Sequence, residues 1–362
     1  MRMCSESGLM RRAAALLLAA ALLPLSLVRA EESVLRRSEK KEVKGDVTLI
    51  AKGGVTVAKG NSNTEIPSND IVQIKWTGAP PAYNIAVGDE LGGRLQKAID
   101  GLTKLQGEPK PDSPGYRADL QYLIARATAK LALADPAKVD DAIKKLEEFK
   151  SKNADSYHYY EAMNYLGQLY AAKGDSANSV AAFEALGQAP FNDYRMAAKL
   201  ATARQSLAKD DVAGAKTLFE EVSKMPSEKN NLNEESKKQE AQLGIAHCLQ
   251  LEKNFPKAIE LLDQVINQSA ADDYHVQAEA YLRQGDCLRA SGKPKEALLA
   301  YLHIDTLFPT ERAQHAEALY NLAQLWNTVQ QPDRAEDAAT RLSTEFPNSS
   351  WAQKLRTPVA TQ

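Results

Sequence analysis

Two periods of apolar and polar positions divide the chain. From Val43 to Trp76 the apolar residues fall on alternate positions, at Val47 and Leu49, at Val55 and Val57, then at Val72, Ile74 and Trp76. Alternation of this kind marks strands with one buried face. Lys52-Gly53-Gly54, Gly60-Asn61-Ser62-Asn63 and Pro67-Ser68-Asn69-Asp70 supply turn chemistry between them. After Val87 the period becomes helical and stays so. Asp119–Ala134, Tyr159–Ala172, Arg195–Ala208, Glu234–Leu251 and His275–Ala290 carry apolar residues three and four apart. Lys173-Gly174-Asp175, Ser291-Gly292-Lys293-Pro294 and Gln331-Pro332-Asp333 break the runs, so antiparallel helix pairs are predicted.

The first part reads as three or four short antiparallel strands, a small SH3-like barrel or a meander, with Glu31–Glu42 frayed or loosely helical. A module of about forty-five residues is near the lower limit for folding alone. It is therefore expected to dock on the helical part of the chain, with Trp76 and Tyr83 as anchors and Thr77–Pro81 as the boundary. The organisation read from the pattern is a leader at 1–30, a charged segment and β module at 31–80, and a connecting or capping helix and linker at 81–118. A helical array at 119–347 and a capping helix with tail at 348–362 complete it.

The leader reading rests on Arg2, Arg11 and Arg12, an apolar run from Ala13 to Leu27, and small residues at Val28 and Ala30. These are the parts of a secretory signal cleaved after Ala30. The run is shorter than the ~20 residues of a spanning helix, and a retained anchor is the alternative. Removing 1–30, which holds four arginines and one glutamate, takes the net charge from −2 to −5. A mildly acidic exported chain has no electrostatic footprint for nucleic acid and no basic cluster for anionic lipid. After cleavage no segment is apolar enough to span a bilayer.

Self-similarity then joins the helices. Ala280-Tyr281-Leu282-Arg283-Gln284-Gly285-Asp286-Cys287-Leu288, Glu296-Ala297-Leu298 and Phe308-Pro309 are followed by Ala318-Leu319-Tyr320-Asn321-Leu322-Ala323-Gln324-Leu325-Trp326, Arg334-Ala335 and Phe346-Pro347. Leu166-Gly167-Gln168-Leu169-Tyr170 and Lys257-Ala258-Ile259 echo them. The pattern resembles the tetratricopeptide repeat family over about Asp119 to Pro347. Small residues on the second helices fall at Ala142, Ser179, Ala215, Ala258, Ala297 and Ala335, at intervals of 37, 36, 43, 39 and 38, against ~34 in the consensus. The looser spacing is similar to exported members such as outer-membrane-assembly lipoproteins and cell-division coordinators of the bacterial envelope. The resemblance implies a right-handed α-solenoid of helix hairpins behind a small antiparallel β module. The 43-residue interval implies an insertion near Ser227–Glu235. The β module, with Asp89–Leu105, is expected to cap the front of the stack, and Trp351 and Leu355 its back.

No catalytic constellation emerges. His158, His247, His275, His303 and His315 are scattered, and no Gly-rich phosphate loop is present. Asp210-Asp211 and Asp272-Asp273 read as helix caps. Cys248 and Cys287 hold the same place in successive repeats. Stacked helices lie ~8–10 Å apart while a disulfide needs Cα atoms within ~7 Å, so two buried free thiols are expected.

A ladder of acids stands out instead. Glu161, Glu240, Glu279 and Glu317 each precede an alanine at what reads as the start of a first helix, a position that the resemblance places on the concave groove. A carboxylate answering the helix N-terminus is the simpler reading. Asn164, Gln168, Arg204, His247 and Gln250 lie down the same face, as do Asp286, Arg289, Tyr320, Gln324 and Asn327. A mixed polar groove suits an extended peptide or a partner helix. The reading is an exported, periplasmic or secreted, non-catalytic protein–protein scaffold associated with the cell envelope, with no cofactor or metal. A cell-wall glycan or peptide binder using the β module is the alternative, and an enzyme assembled across the inner face the third choice. If the leader is cleaved as read, N-terminal sequencing of the mature protein will start at Glu31, and a start at Met1 would establish the anchor.

Overall fold

The computed structural model describes residues 31–356, apart from 40, 109, 110, 112 and 228–230. The expected leader at 1–30, the tail from 357 and the middle of the expected insertion lie outside the described residues.

Five strands form one antiparallel sheet: β1 (Glu32–Arg36), β2 (Glu42–Ala51), β3 (Gly54–Lys59), β4 (Ser62–Pro67) and β5 (Ile71–Lys75), in the order β4-β3-β2-β1-β5. A 3-10 turn at Ser68–Asp70 brings β5 back beside β1, so β1 to β4 form the meander and the fifth strand returns to its first member. The expectation of a frayed or helical Glu31–Glu42 is wrong, because β1 is an internal strand. Val34 pairs with Val43 on one side and Ile74 on the other and is fully buried. Its charged neighbours hid the alternation, and they are satisfied by partners far along the chain. Glu32 accepts the N–H of Val47 at 3.0 Å, and Arg36 Nε meets Asp70 Oδ2 at 2.7 Å.

The sheet does not close a core of its own. Val34, Val55, Val57, Ile66 and Ile74 pack with Trp76, Tyr83, Leu120, Leu123 and Tyr157 in one cluster. Trp76 and Tyr83 are 6% and 1% exposed, which is the anchoring expected of them. This core draws in α1 (Pro81–Leu91), α2 (Leu95–Gln106) and α3 (Pro114–Ala132).

Six hairpins make up the array. The first pairs α3 with α4 (Val139–Lys152). The second and third are α5 (Tyr159–Lys173) with α6 (Ser176–Gly187), and α7 (Asn192–Ala208) with α8 (Val212–Lys224). Next come α9 (Leu232–Leu251) with α10 (Phe255–Gln268), and α11 (Tyr274–Ala290) with α12 (Pro294–Leu307). The sixth is α13 (Arg312–Thr328) with α14 (Pro332–Glu345), and α15 (Ser350–Arg356) ends the described chain. Every small position predicted on a second helix is buried, five of them completely and Ala335 at 4%. Ser179, the one hydroxyl in that series, donates to the carbonyl of Gly167 at 2.8 Å.

Side-chain volume is matched across these crossings. A Cβ on Gly167 would lie 2.6 Å from the Phe183 ring, and one on Gly285 2.6 Å from the Tyr301 ring. In the corresponding register the pairs are Ala246 with Leu262 and Ala323 with Ala339. In the third hairpin Phe219 faces Ala203, and its ring is met instead by Gly244 of α9, where a Cβ would lie 2.4 Å away, so each ring has a glycine against it, as close packing requires.

The array curves until its ends touch. A Cβ on Gly93 would strike Thr310, Asn348 Nδ2 reaches Asp135 Oδ2 at 3.4 Å, and a gap of about 30 Å3 lined by Leu131, Asp135, Arg312 and Phe346 separates the two ends. Trp351 packs against Tyr320 in a tilted arrangement with ring centres 5.1 Å apart, and Leu355 joins the last core, as expected of a back cap. The β module does more than cap the front. Lys52 sits 4.0 Å over the Tyr159 ring of α5, and Asn69 reaches Asp193 of α7 and Asn233 of α9. The described part of the expected insertion is spent on that contact, since α9 has 20 residues where α5 has 15 and α7, α11 and α13 each have 17.

Five of the hairpin turns share one geometry. Gly174, Asp210, Lys253, Gly292 and Gln330 have positive φ, each five residues before the small crossing position. In each turn the next N–H bonds a carbonyl four residues before the left-handed one, as in Asn254 to Leu249 at 2.8 Å and Lys293 to Leu288 at 3.0 Å. This is the Schellman closure, which favours glycine because a Cβ in left-handed backbone costs about 1–2 kcal/mol. Lys253→Gly is therefore expected to raise the unfolding free energy by about 0.5–1 kcal/mol, after the larger unfolded-state entropy of glycine is subtracted. Urea denaturation measures it, and an unchanged or lower midpoint would refute the strain.

Candidate functional site

Only Glu161 of the four ladder acids lies in the first turn of its helix. Glu240 is in the middle of α9, whose start is extended, and Glu279 and Glu317 are the sixth residues of α11 and α13. The helix-terminus explanation therefore fails for three of them. All four are answered by cations. Arg126 Nη1 lies 3.5 Å from Glu161, Arg204 Nη2 2.7 Å from Glu240, and Lys237 pairs with Glu240 within its own helix. Burial raises the proton affinity of Glu161 and Glu240. The cations, with His158 assisting at Glu161, outweigh it and hold both well below the usual carboxylate range.

Toward the far end of the array one guanidinium serves three acids. Arg283 meets Glu279 at 2.8 Å, Asp286 at 2.9 Å and Glu317 at 3.7 Å. Burial opposes ionisation of Glu279, but Arg283 brings it down to about 2, helped by His275 and by Gln314, which donates to it at 3.2 Å. Glu317 fares differently. Burial, with Asp286 and Glu279 nearby and Arg283 more distant, pushes it up to about 7. His275, half exposed, lies 3.5 Å from Glu311. Burial lowers its affinity for a proton, but Glu311, Glu240 and Glu279 more than offset this and leave it raised.

The near end holds a buried polar network that sequence reading missed. Glu90 of α1, its side chain fully buried, receives Arg126 through two nitrogens at 2.9 and 3.2 Å, and Lys130 at 2.6 Å. Burial would raise Glu90, yet Arg126 and Lys130 leave it lowered. Two turns before Arg126, Asp119 accepts from Trp76 Nε1 at 2.8 Å and Tyr157 Oη at 2.9 Å, with His158 Nε2 at 3.2 Å. The available signal was Asp119, Arg126 and Lys130 spaced on one largely apolar helix.

The remaining ladder residues divide. Asp286 is buried and also accepts from Tyr301 at 2.8 Å, so it braces its own hairpin. Arg289 donates to buried Asn321 at 2.8 Å, and Tyr320 is covered by Trp351. His247 is half buried, and burial with Arg283 nearby lowers its proton affinity. The Gln250 Oε1 atom is buried with no partner among the described residues. Asn164 and Gln168 are half buried, whereas Arg204, Gln324 and Asn327 are exposed. Asp211 and Asp273 cap α8 and α11 by accepting from Gly214 and Val276. Cys248 and Cys287 are buried free thiols, pushed up by burial to about 11 and about 12. Among the described residues no three His, Cys, Asp or Glu side chains are grouped to hold a metal ion, and no helix is long and apolar enough to cross a membrane.

Because the folded affinity of Glu317 for its proton exceeds the ordinary value of 4.5, its contribution favours the fold below about pH 4.5 and is lost as pH rises through about 7. Glu317→Gln should stabilise the protein at pH 8 by about 1–3 kcal/mol and leave it nearly unchanged at pH 4. Denaturation at both pH values measures this, and equal effects would mean that Glu317 ionises normally.

Residues 239–304 and 317–349 match family models described as tetratricopeptide repeats. None of the curated proteins matches the chain in sequence. Among solved structures, a tetratricopeptide repeat protein from Parabacteroides merdae ATCC 43184 is 14% identical, with 76% of this chain and 98% of that chain covered at a TM-score of 0.44. The C-terminal part of a repeat-containing protein from Cytophaga hutchinsonii is 16% identical, with 76% and 99% covered at 0.37. NprR in complex with its cognate peptide NprX is 13% identical, with 76% and 80% covered at 0.41. The matched segments fall on α9 to α12 and on α13 and α14, each built of hairpins with a buried small residue at the crossing, and these two segments of the chain are tetratricopeptide repeats.

Proposed function

We propose that the protein is a non-catalytic scaffold that holds a protein partner, as an extended segment or a helix, along the face formed by its first helices. The observation that carries this is the continuity of that face. Arg204, Glu240, His275, Glu279, Glu317, Gln324 and Asn327 come from four successive first helices that pack side by side. The charged members are held by ion pairs within and between these helices, which preorganises them for a partner. Arg2, Arg11 and Arg12 ahead of the apolar run from Ala13 to Leu27 support reading 1–30 as a leader for export, and with it a place in the cell envelope.

The ion pairs also decide how the face should be probed. Charge reversal at Glu240 or Glu279 would place a lysine beside Arg204 or Arg283, so lost binding could not be separated from lost stability. A photo-crosslinking residue at exposed Gln324 avoids this, with the same residue at Lys257 on the outer helix α10 as control. In cells, Gln324 is expected to give one discrete protein adduct and Lys257 none. Adducts from Lys257 alone, or none from either position, would remove the inner face as the binding surface.

A further inference from the structure

A cleft of about 410 Å3 opens where the β module meets the starts of α7 and α9. Its walls are fixed from within. Asp70 binds Arg36 Nε at 2.7 Å and accepts from Ser38 N at 2.7 Å and Ser38 Oγ at 2.9 Å. Buried Asp193 accepts from Asn69 at 3.0 Å and from Asn233 at 3.2 Å, and Asn233 also reaches the carbonyl of Asn69 at 2.7 Å. The turn that carries Arg37 is thus held by bonds that do not use its side chain. Arg37 and Arg195 both line the cleft, and neither has a carboxylate partner among the described residues. The other charges there are committed: Asp70 to Arg36, while Glu234 is only 3% exposed. The cleft therefore gathers two guanidiniums without a carboxylate partner among the described residues, in a chain of net charge −2.

We propose that this cleft docks an acidic peptide segment of a partner protein, with carboxylates taken by Arg37 and Arg195. The planar fork of guanidinium matches a carboxylate through two parallel hydrogen bonds. Asn69, Asn192 and Asn233 spend their NH2 groups on the walls or the neighbouring loop. Their amide oxygens remain to accept from a peptide backbone. Leu232, 43% exposed, and Phe191 add an apolar surface for an adjoining side chain. A nucleic acid would call for a longer basic track than two arginines. The site is separate from the inner face and does not depend on what that face binds.

Fluorescence anisotropy of the full chain with a fluorescein-labelled decapeptide of alternating Glu and Gly, at low salt, tests the proposal. Saturable binding is expected, weakened at least tenfold by Arg37→Glu with Arg195→Glu and at least tenfold when the peptide glutamates are replaced by glutamine. Melting should be unchanged, since neither arginine has a carboxylate partner among the described residues; if it falls, Arg37→Gln with Arg195→Gln carries the same test. Glu317→Gln should leave binding as it is. No saturable binding, equal binding by the double variant, or equal binding of the glutamine peptide would overturn the site. A ten-nucleotide single strand that binds more tightly than the peptide, with the same arginine dependence, would overturn the assignment of a peptide.

Discussion

Every hairpin in this protein depends on two helices approaching closely at one point. A helix pair cannot bury its apolar stripe by itself, so neighbours must stack, and the stack tolerates only a small residue at each crossing. Alanine or serine fills that place six times without appreciable exposure. Neighbouring helices adjust in turn: Gly167 and Gly285 make room for the Phe183 and Tyr301 rings within their own hairpins, and Gly244 of the next hairpin makes room for Phe219. The left-handed residue five positions earlier belongs to the same constraint, since it fixes where the second helix begins and which residue meets the crossing. Geometry is tight enough that Asp210, Lys253 and Gln330 are held in a backbone region that suits glycine.

Stacking also determines what happens to charge. The first helices carry acids at corresponding positions, and curvature brings them toward cations from adjacent helices. Arg126, Arg204 and Arg283 each bind carboxylates about one repeat away in sequence. Such pairs lose hydration and recover it only when hydrogen bonds are good. Arg283 shows the limit of that compensation. It satisfies Glu279 and Asp286 at close range, and Glu317, farther off, retains its proton near neutrality.

The β module is part of the same structure rather than an appendage. Its sheet contributes one wall of a core completed by α1, α2 and α3, and the buried carboxylate of Asp119 ties Trp76 to Tyr157 and His158 across that wall. Its 3-10 turn reaches past the first hairpin to α7 and to the extended start of α9. The lengthened interval between repeats therefore has a structural use, because the extra turn of α9 brings Asn233 within reach of Asn69.

The helix hairpins, their order, the six crossing residues and the anchoring by Trp76 and Tyr83 were legible in the chain alone. Each is a matter of spacing within one or two helical turns, or of a large aromatic beside a module too small to bury itself. The acid ladder was legible as a pattern but not as chemistry, since Glu161, Glu240, Glu279 and Glu317 look alike in sequence and differ only in how near a guanidinium stands. β1 was hidden because one buried valine among charged residues carries too little alternation to register. What tertiary structure alone decided was the closure of the array on itself, the reach of the β module to α9, and the partner of every inner charge. These arise from small rotations accumulated over six hairpins and from contacts between residues as far apart as Asn69 and Asn233 or Asp135 and Asn348, and local periodicity carries no record of either.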